Sequence, residues 1–225
     1  MAGRIIIISG PSGVGKDTLI DQWIAQNPHI KKIRTSTTRA PREGEVDGVH
    51  YDFWKKDDFE EALLNNAFLE CAKVHGNLYG TPRDQVEEII AQGDMAILRI
   101  DVQGAGKLMR ELPDAVTIFI LPPSNEELER RIRKRGLDSD DAIKTRLQNA
   151  LAEIESATMY QYQVINRDID QSVKTLNIIA EVAGSPFYCN ILPRLRLTGW
   201  RYVNKYRQWR QARKKAIDNR RAFYA

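Results

Sequence analysis

The stretch RIIIISGPSGVGK, from Arg4 to Lys16, decides the class of fold. Its first half is a continuous run of β-branched apolar residues, which is typical of a strand buried on both faces of a parallel sheet. Its second half matches the pattern G-x-x-x-x-G-K, and apolar residues follow at helical spacing as far as Ile24. A strand, a glycine-rich turn and a helix in this order predict an α/β fold with a loop that binds phosphate.

The chemistry of this loop suits a polyphosphate. Glycines allow backbone N–H groups to converge on phosphate oxygens, and the N-terminus of the following helix adds a partial positive charge. Lys16 can reach the outer phosphates as a point charge. The alternative is a glycine-rich turn with an exposed lysine, which the flanking strand and helix patterns disfavour. The candidate binding residues are Ser12, Gly13, Val14, Gly15, Lys16, Asp17 and Thr18.

Asp17 departs from the usual form of the motif, which has Ser or Thr after the lysine as a ligand of Mg²⁺. A carboxylate oxygen also suits that ion, so Asp17 and the neighbouring Thr18 are the candidate metal ligands. Alternatively, Asp17 pairs with a nearby base. In either case its negative charge lies close to a polyphosphate and needs compensation.

Further apolar runs predict the rest of a sheet. Residues 95–100 and 115–121 are candidate core strands, each preceded by a helical pattern, and a last strand at 163–166 precedes a closing helix at 168–183. We assign 1–34, 95–123 and 160–193 to the core, 35–94 and 124–159 to two insertions, and 194–225 to a C-terminal extension. Both insertions are expected above the carboxyl ends of the strands, where open α/β sheets bind ligands.

The first insertion begins with a group of residues that can hold a dianionic phosphate. The segment TSTTRAPREGEVDGVHY, from Thr35 to Tyr51, contains two arginines, four hydroxyl groups of Thr and Ser, and a tyrosine. Guanidinium groups form charge-assisted, bidentate hydrogen bonds to phosphate. The motifs FLE at 68–70, GNLYGT at 76–81 and IDVQG at 100–104 follow along the chain.

In this order, the motifs make the chain closely similar to guanylate kinases, over roughly residues 3 to 183. The most specific part of the resemblance is T-T-R-x-P-R-x-G-E-x-D-G-x-x-Y, from Thr37 to Tyr51. The resemblance implies a P-loop core, a GMP-binding region at 35–94 and a mobile lid at 124–159. It also implies transfer of the γ-phosphate of ATP to GMP or dGMP, with Mg²⁺ as the cofactor bound with ATP.

The resemblance assigns roles to residues of the GMP-binding region. Arg39, Arg42, Tyr51 and Tyr79 are expected to hold the GMP phosphate, with Glu45 positioning the arginines. Glu70 and Asp101 are expected to accept hydrogen bonds from the N1–H and 2-amino groups of guanine, and Thr35 faces its O6. Thr81 completes the predicted GMP-binding set.

The lid resemblance involves a helix dense in arginine. Arg131 and Arg135 are four residues apart and therefore share a helix face, and Arg146 follows on a second helix. We expect Lys16, Arg39, Arg131, Arg135 and Arg146 to act on the phosphates during transfer. Asn166 falls in the strip that resembles the adenine-side loop, so it joins the expected ATP-binding set. A solvated basic face is the interpretation for Arg130, Arg133 and Lys134.

A second departure lies at Arg99, where the family commonly has an acid. We therefore hypothesise that Arg99 and Asp17 form a compensating pair.

The sequence leaves two alternative functions open. Ribose 1,5-bisphosphate phosphokinases share the fold and the Asp after the P-loop lysine, and some guanylate-kinase-like domains are non-catalytic binding modules.

The net charge of +4 divides unequally along the chain. Residues 194–225 carry eleven Lys or Arg and one Asp, which is +10, so residues 1–193 carry −6. The aromatic residues within this extension predict an RNA-binding arm, a helix on an anionic membrane, or packing on the chain's own core or on a second subunit of a homodimer.

The absence of a long apolar run and the two widely separated cysteines favour a cytoplasmic protein without a transmembrane segment.

Overall fold

The predicted first strand lies at the centre of a five-stranded parallel sheet in a computed structural model that describes residues 3–74, 76–134 and 140–184. The strands are β1 (Arg4–Ser9), β2 (Ile30–Lys32), β3 (Ser36–Thr37), β4 (Asp52–Phe53), β5 (Phe68–Val74), β6 (Asn77–Pro82), β7 (Met95–Arg99), β8 (Val116–Leu121) and β9 (Tyr162–Ile165). The helices are α1 (Lys16–Gln26), α2 (Lys56–Leu64), α3 (Arg83–Ala91), α4 (Val102–Glu111), α5 (Asn125–Lys134), α6 (Asp140–Glu155) and α7 (Ile169–Gly184), and Ser156–Met159 forms a 3-10 turn.

The large sheet has the strand order β2-β7-β1-β8-β9, and every neighbouring pair is parallel. Both faces of β1 are buried, as its uninterrupted apolar sequence predicts. Ile6 and Ile8 pack into a cluster with Trp23 of α1, whereas Ile7 packs into the opposite cluster with Leu108 of α4 and Leu128 of α5. Helices therefore cover the sheet on both sides, and the predicted α/β fold is confirmed.

A second, smaller sheet is formed within residues 36–82. Its order is β4-β3-β6-β5, with β3 and β4 parallel and the remaining pairs antiparallel. Phe59 of α2 stacks on Phe68 of β5 with ring centroids 4.4 Å apart, and Trp54 meets both rings edge-on. Gly80 lies under this aromatic group, since a Cβ there would be 2.7 Å from the Phe68 ring.

Helix α5 packs directly on the glycine-rich loop that follows β1. Its apolar residues Leu128 and Ile132 are buried, and a Cβ at Gly13 would lie 2.7 Å from the Ile132 side chain. Helix α6 packs in turn against α5. The arginines of these two helices are thereby brought to the loop that the sequence identifies as the phosphate site.

Several sequence predictions concern residues outside the described ranges. Arg135 is one of them, and so are all the residues from 185 to 225, including the basic extension. The proposed contacts of that extension remain predictions. None of the helices in the described residues has both the length and the apolar character required to cross a membrane.

We predict that Asn177→Ala destabilises the contact between α1 and α7. Asn177 Oδ1 accepts hydrogen bonds from Trp23 Nε1 at 2.7 Å and from Asn27 Nδ2 at 3.0 Å, and Trp23 is fully buried. Loss of the acceptor leaves a buried N–H group unpaired, so urea denaturation should show a decrease of about 1–3 kcal/mol in the free energy of unfolding. The control is Ile178→Ala on the same helix, because Ile178 is 51% exposed. An equal loss in both variants would contradict the assignment.

Candidate active site

The phosphate loop has the backbone conformation that its glycines permit. Gly13 and Gly15 have φ angles of 85° and 90°, in the left-handed region that side chains other than glycine adopt rarely. Gly15 stands at the N-cap of α1. The N-terminus of this helix therefore opens onto the loop, as the motif predicts.

Lys16 folds back over the loop that precedes it. Its Nζ donates hydrogen bonds to the carbonyl oxygens of Gly10 and, at 3.1 Å, of Pro11. The ammonium group is thus held at the mouth of the loop, where it can exchange carbonyl oxygens for phosphate oxygens.

The carbonyl of Val14 joins the phosphate loop to two other parts of the chain. It accepts a hydrogen bond from Asn166 Nδ2 at 2.9 Å and another from Arg131 Nη1 at 3.0 Å. Arg131 also donates to the Asn166 carbonyl at 3.1 Å and to Glu127 at 2.8 Å. Both residues were expected on the ATP side, and both contact the loop itself.

Helix α6 contributes two further groups to the loop. Arg146 Nη2 lies 3.4 Å from Ser12 Oγ. Glu153 accepts a hydrogen bond from the Ser12 backbone, and burial raises its pKa although Lys16 acts in the opposite direction. Glu153 is not among the residues predicted from the sequence. Its spacing of seven residues from Arg146 places both side chains on one face of a helix and could have indicated that Glu153 also faces the loop.

The hypothesised pair between Asp17 and Arg99 is confirmed. Arg99 Nη1 donates to Asp17 Oδ1, and this contact joins the end of β7 to the first turn of α1. Burial alone would raise the pKa of Asp17, but the charge and the hydrogen bond of Arg99 hold it below its usual value. The negative charge beside the phosphate loop is therefore compensated by the second unusual residue.

A magnesium ion fits this site only with help from the nucleotide. Among residues 3–74, 76–134 and 140–184, no three His, Cys, Asp or Glu gather as a candidate metal site. The Asp17 carboxylate is an oxygen donor of the kind that Mg²⁺ prefers, and the adjacent Thr18 adds a hydroxyl group. Such an ion characteristically keeps water and phosphate oxygens as its other ligands.

A pocket with several polar side chains in its wall lies at the carboxyl end of β7, between the large sheet and the small one. It is lined by Thr35, Tyr51, Glu70, Ala72, Val74, Tyr79, Thr81, Arg99, Ile100 and Asp101. Six of the predicted GMP-binding residues are thus brought together, although they come from four separate segments of the chain. Arg99 also lines the pocket, although the sequence predicted only that it pairs with Asp17.

Arg39 and Glu45 form an ion pair at the edge of the small sheet. Arg39 Nη2 donates to the two carboxylate oxygens of Glu45 at 2.8 and 2.9 Å. The guanidinium also lies over the Tyr51 ring, 5.4 Å from its centroid. The Arg42 backbone N–H donates to Glu45, and together with Arg39 it holds the pKa of Glu45 below its usual value.

The side chain of Arg42 is exposed and is not among the residues that line the pocket. Glu45 nevertheless connects it to Arg39, because Glu45 binds the backbone of one and the guanidinium of the other. Arg42 is therefore linked to Tyr51, a residue of the pocket wall, through Glu45 and Arg39.

Glu70 is the most strongly perturbed acid of the pocket. It is 6% exposed, and burial together with the nearby charge of Asp101 raises its pKa to about 7. The Thr81 hydroxyl donates a hydrogen bond to it. Gly104 permits the approach of Glu70 to α4, since a Cβ at that position would lie 2.5 Å from Oε1 of Glu70.

Asp101 caps the helix that begins beside Glu70. Its carboxylate accepts a hydrogen bond from the Gly104 N–H at 2.7 Å. A carboxylate has four lone-pair sites, so this cap leaves further capacity to accept from a ligand. The two acids together give one wall of the pocket a strong preference for hydrogen-bond donors.

We predict that Glu70→Gln changes how stability depends on pH. The pKa of Glu70 is raised from 4.5 to about 7 on folding, so its contribution is fully present below the unfolded value and is lost as the pH rises through about 7. Urea denaturation should therefore show the variant gaining stability over the wild type between about pH 5 and about pH 8, by no more than about 3 kcal/mol. The exposed Glu87→Gln on α3 is the control. A constant difference across this range would contradict the burial of an ionisable Glu70.

Comparison with known proteins agrees with this geometry. The family model described as "Guanylate kinase" matches residues 2–182. A guanylate kinase of Synechocystis sp. is 47% identical over 174 residues, which cover 77% of this chain and 91% of that protein. A guanylate kinase of Trichormus variabilis is 44% identical over 177 residues, with coverage of 79% and 89%.

The structural comparison extends the match to the whole fold. The crystal structure of guanylate kinase from Anaplasma phagocytophilum superposes with a TM-score of 0.67 at 33% identity, covering 92% of this chain and 95% of that one. The family match spans both sheets, the phosphate loop and the lining of the pocket. The chain therefore belongs to the guanylate kinase family.

Proposed function

We infer that this chain transfers the γ-phosphate of ATP to GMP or dGMP, giving ADP and the nucleoside diphosphate. The observation that carries this proposal is the pocket at the end of β7, which is lined both by the neighbouring acids Glu70 and Asp101 and by the hydrogen-bonded pair of Tyr51 and Arg99. The phosphate loop stands next to it, because Arg99 contacts both the pocket and Asp17.

Guanine is the base that best suits the acidic side of this pocket. Its N1–H and 2-amino groups are donors, which the acceptors Glu70 and Asp101 would bind. Adenine lacks this donor edge and would leave the buried Glu70 without a partner. A site of this kind rejects the wrong ligand by about 10⁴-fold or more.

The phosphate of GMP would lie on the opposite side, against Arg39, Arg42, Tyr51 and Tyr79. Arg39 is already oriented by its two hydrogen bonds to Glu45, so little side-chain freedom remains to be lost on binding. Tyr51 and Tyr79 meet edge-on with ring centroids 6.2 Å apart, which directs both rings to the same region.

Phosphoryl transfer to such an acceptor needs positioning and charge stabilisation more than proton transfer. The attacking oxygen belongs to a phosphate anion, so a general base is unnecessary. Lys16, Arg131 and Arg146 would bind the ATP phosphates, and Arg135 is proposed for the same role from the sequence. Because Asp17 is engaged by Arg99, Mg²⁺ would be held through Thr18, water and the ATP phosphates, and it would supply further neutralisation of negative charge.

The two insertions receive distinct roles in this proposal. Residues 35–94 would bind the acceptor, and residues 124–159 would close as a lid over the phosphates. Closure would exclude water, which limits the hydrolysis of ATP in the absence of GMP. The core at 1–34, 95–123 and 160–193 would hold the two substrates at a fixed separation.

A coupled assay with Mg-ATP would test the reaction directly. We expect turnover with GMP and dGMP, and kcat/KM for AMP lower by about 10⁴-fold. Ribose 1,5-bisphosphate is included because an Asp follows the P-loop lysine. Clear turnover of this sugar phosphate without turnover of GMP would contradict the proposal, and binding of GMP without any turnover would indicate a binding module.

We predict that Arg42→Ala loses most GMP kinase activity while ATP binding is retained. The change removes one cation from the proposed acceptor-phosphate site, so KM for GMP should rise by about tenfold or more. The control is Lys73→Ala, which removes an exposed cation from β5 of the same sheet. An Arg42→Ala protein with normal affinity for GMP would show that the phosphate site is misplaced.

We predict that Arg131→Met lowers kcat by about 10²-fold, because it removes a cation that stabilises transferring phosphate oxygens. Arg133→Met is the control on the same helix, since Arg133 pairs with Glu129 and its side chain is 49% exposed. Thermal denaturation of both variants shows whether a fall in kcat comes from weaker phosphate stabilisation or from destabilisation by loss of the hydrogen bond to the Val14 carbonyl. Equal effects of the two substitutions on kcat would contradict the assigned role of Arg131.

A further inference from the structure

Arg99 connects the two sides of the active site through one guanidinium group. Its Nη1 donates to Asp17 at the start of α1, and its Nη2 donates to the Tyr51 hydroxyl oxygen at 2.9 Å. Asp17 belongs to the phosphate-loop side, whereas Tyr51 belongs to the proposed acceptor-phosphate side. One side chain therefore touches groups that were expected to serve different substrates.

The backbone of Arg99 is well anchored for this purpose. It is the last residue of β7 and pairs in register with Ile8 of the central strand β1. The next residue, Ile100, donates its N–H to the Ile8 carbonyl at 3.3 Å. The guanidinium thus extends from the middle of the sheet, and its side chain is only 26% exposed.

The hydrogen bond to Tyr51 has a directional consequence. A guanidinium has donors only, so the Tyr51 oxygen must be the acceptor in this contact. The hydroxyl proton of Tyr51 then points away from Arg99 and is available to another acceptor. The ring itself is held by the Tyr79 edge and by the Arg39 guanidinium above it.

Asp17 fixes the other end of the guanidinium. With Nη1 engaged by the carboxylate, Nη2 is directed at Tyr51 and little rotation remains. The carboxylate also balances the charge of Arg99, so the pair adds no net charge beside the phosphates.

We propose that Arg99 is a positioning residue that presents the Tyr51 hydroxyl proton to the acceptor phosphate. The ligand concerned is the phosphate monoester group of the acceptor nucleotide, and Asp17 sets the orientation of Arg99. This inference rests on the proposed function. It assigns Arg99 an effect on acceptor binding that acts through Tyr51 and not through direct contact with the base.

A double-mutant cycle between Arg99→Met and Tyr51→Phe tests this inference. The measurement is the dissociation constant of GMP by titration calorimetry, without ATP or Mg²⁺, so that metal binding at Asp17 does not enter. Each single variant should weaken GMP binding by about tenfold, the scale of one hydrogen bond to a charged group. The double variant should be no more than about threefold weaker than either single variant, because both remove the same interaction.

The control for the cycle is Arg34→Met. Arg34 pairs with Asp52, the residue after Tyr51, and the Arg34 side chain is 41% exposed. Its loss removes a contact to the residue beside Tyr51 and leaves the Tyr51 hydroxyl untouched, so GMP binding should change by less than about twofold. Arg99→Lys keeps the charge and should recover part of the affinity lost in Arg99→Met.

Different results would contradict the role of Arg99 and the proposed function. Additive losses near a hundredfold in the double variant, or an Arg99→Met protein with unchanged GMP affinity, would overturn the role of Arg99. Wild-type protein that neither binds nor phosphorylates GMP would instead overturn the proposed function. If Arg99→Met fails to show native melting, the cycle is measured with Arg99→Lys, for which the same non-additivity is expected.

Discussion

The carbonyl of Val14 is the point on which the geometry of the nucleotide site depends. It accepts from Asn166 at the end of β9 and from Arg131 of α5, so the large sheet and α5 both hold the phosphate loop. Asn166 is almost fully buried, and loss of either donor would leave polar groups in a region with little water. The position of Arg131 relative to the loop is therefore set before any ligand arrives.

Three arginines of the site share a second constraint, which is that carboxylates hold them in place. Arg39 pairs with Glu45, Arg99 with Asp17 and Arg131 with Glu127. Hydrogen bonds from Arg130 and Arg131 lower the pKa of Glu127 to about 2, so it stays ionised. Preorganised cations of this kind stabilise charge without the cost of reorienting at the moment of reaction. The pairing also limits the repulsion among several cations in the absence of phosphate.

Much of this arrangement could be predicted from local sequence. The bounds of β1 and α1 follow from an apolar run and a glycine-rich motif, and the pair of Asp17 with Arg99 follows from two charge changes at neighbouring family positions. Strands β3 and β4 have two residues each, too few for any periodic signal. The contact of Arg99 with Tyr51 was equally hidden, because it depends on how the small sheet folds back onto the large one. Burial of Glu70 against Gly104 is a tertiary effect of the same kind.

The burial of Glu70 links the stability of the fold to the proposed selectivity for guanine. A carboxyl group that is 6% exposed beside Asp101 is costly to ionise, which is why its pKa rises to about 7. Hydrogen-bond donors on a ligand would favour the ionised form and offset that cost, so the donor edge of guanine gains more from this pocket than from a solvated carboxylate. A ligand without donors would leave the cost uncompensated. The destabilised acid and the proposed preference for guanine therefore follow from the same burial, and Gly104 is the residue that makes this burial sterically feasible.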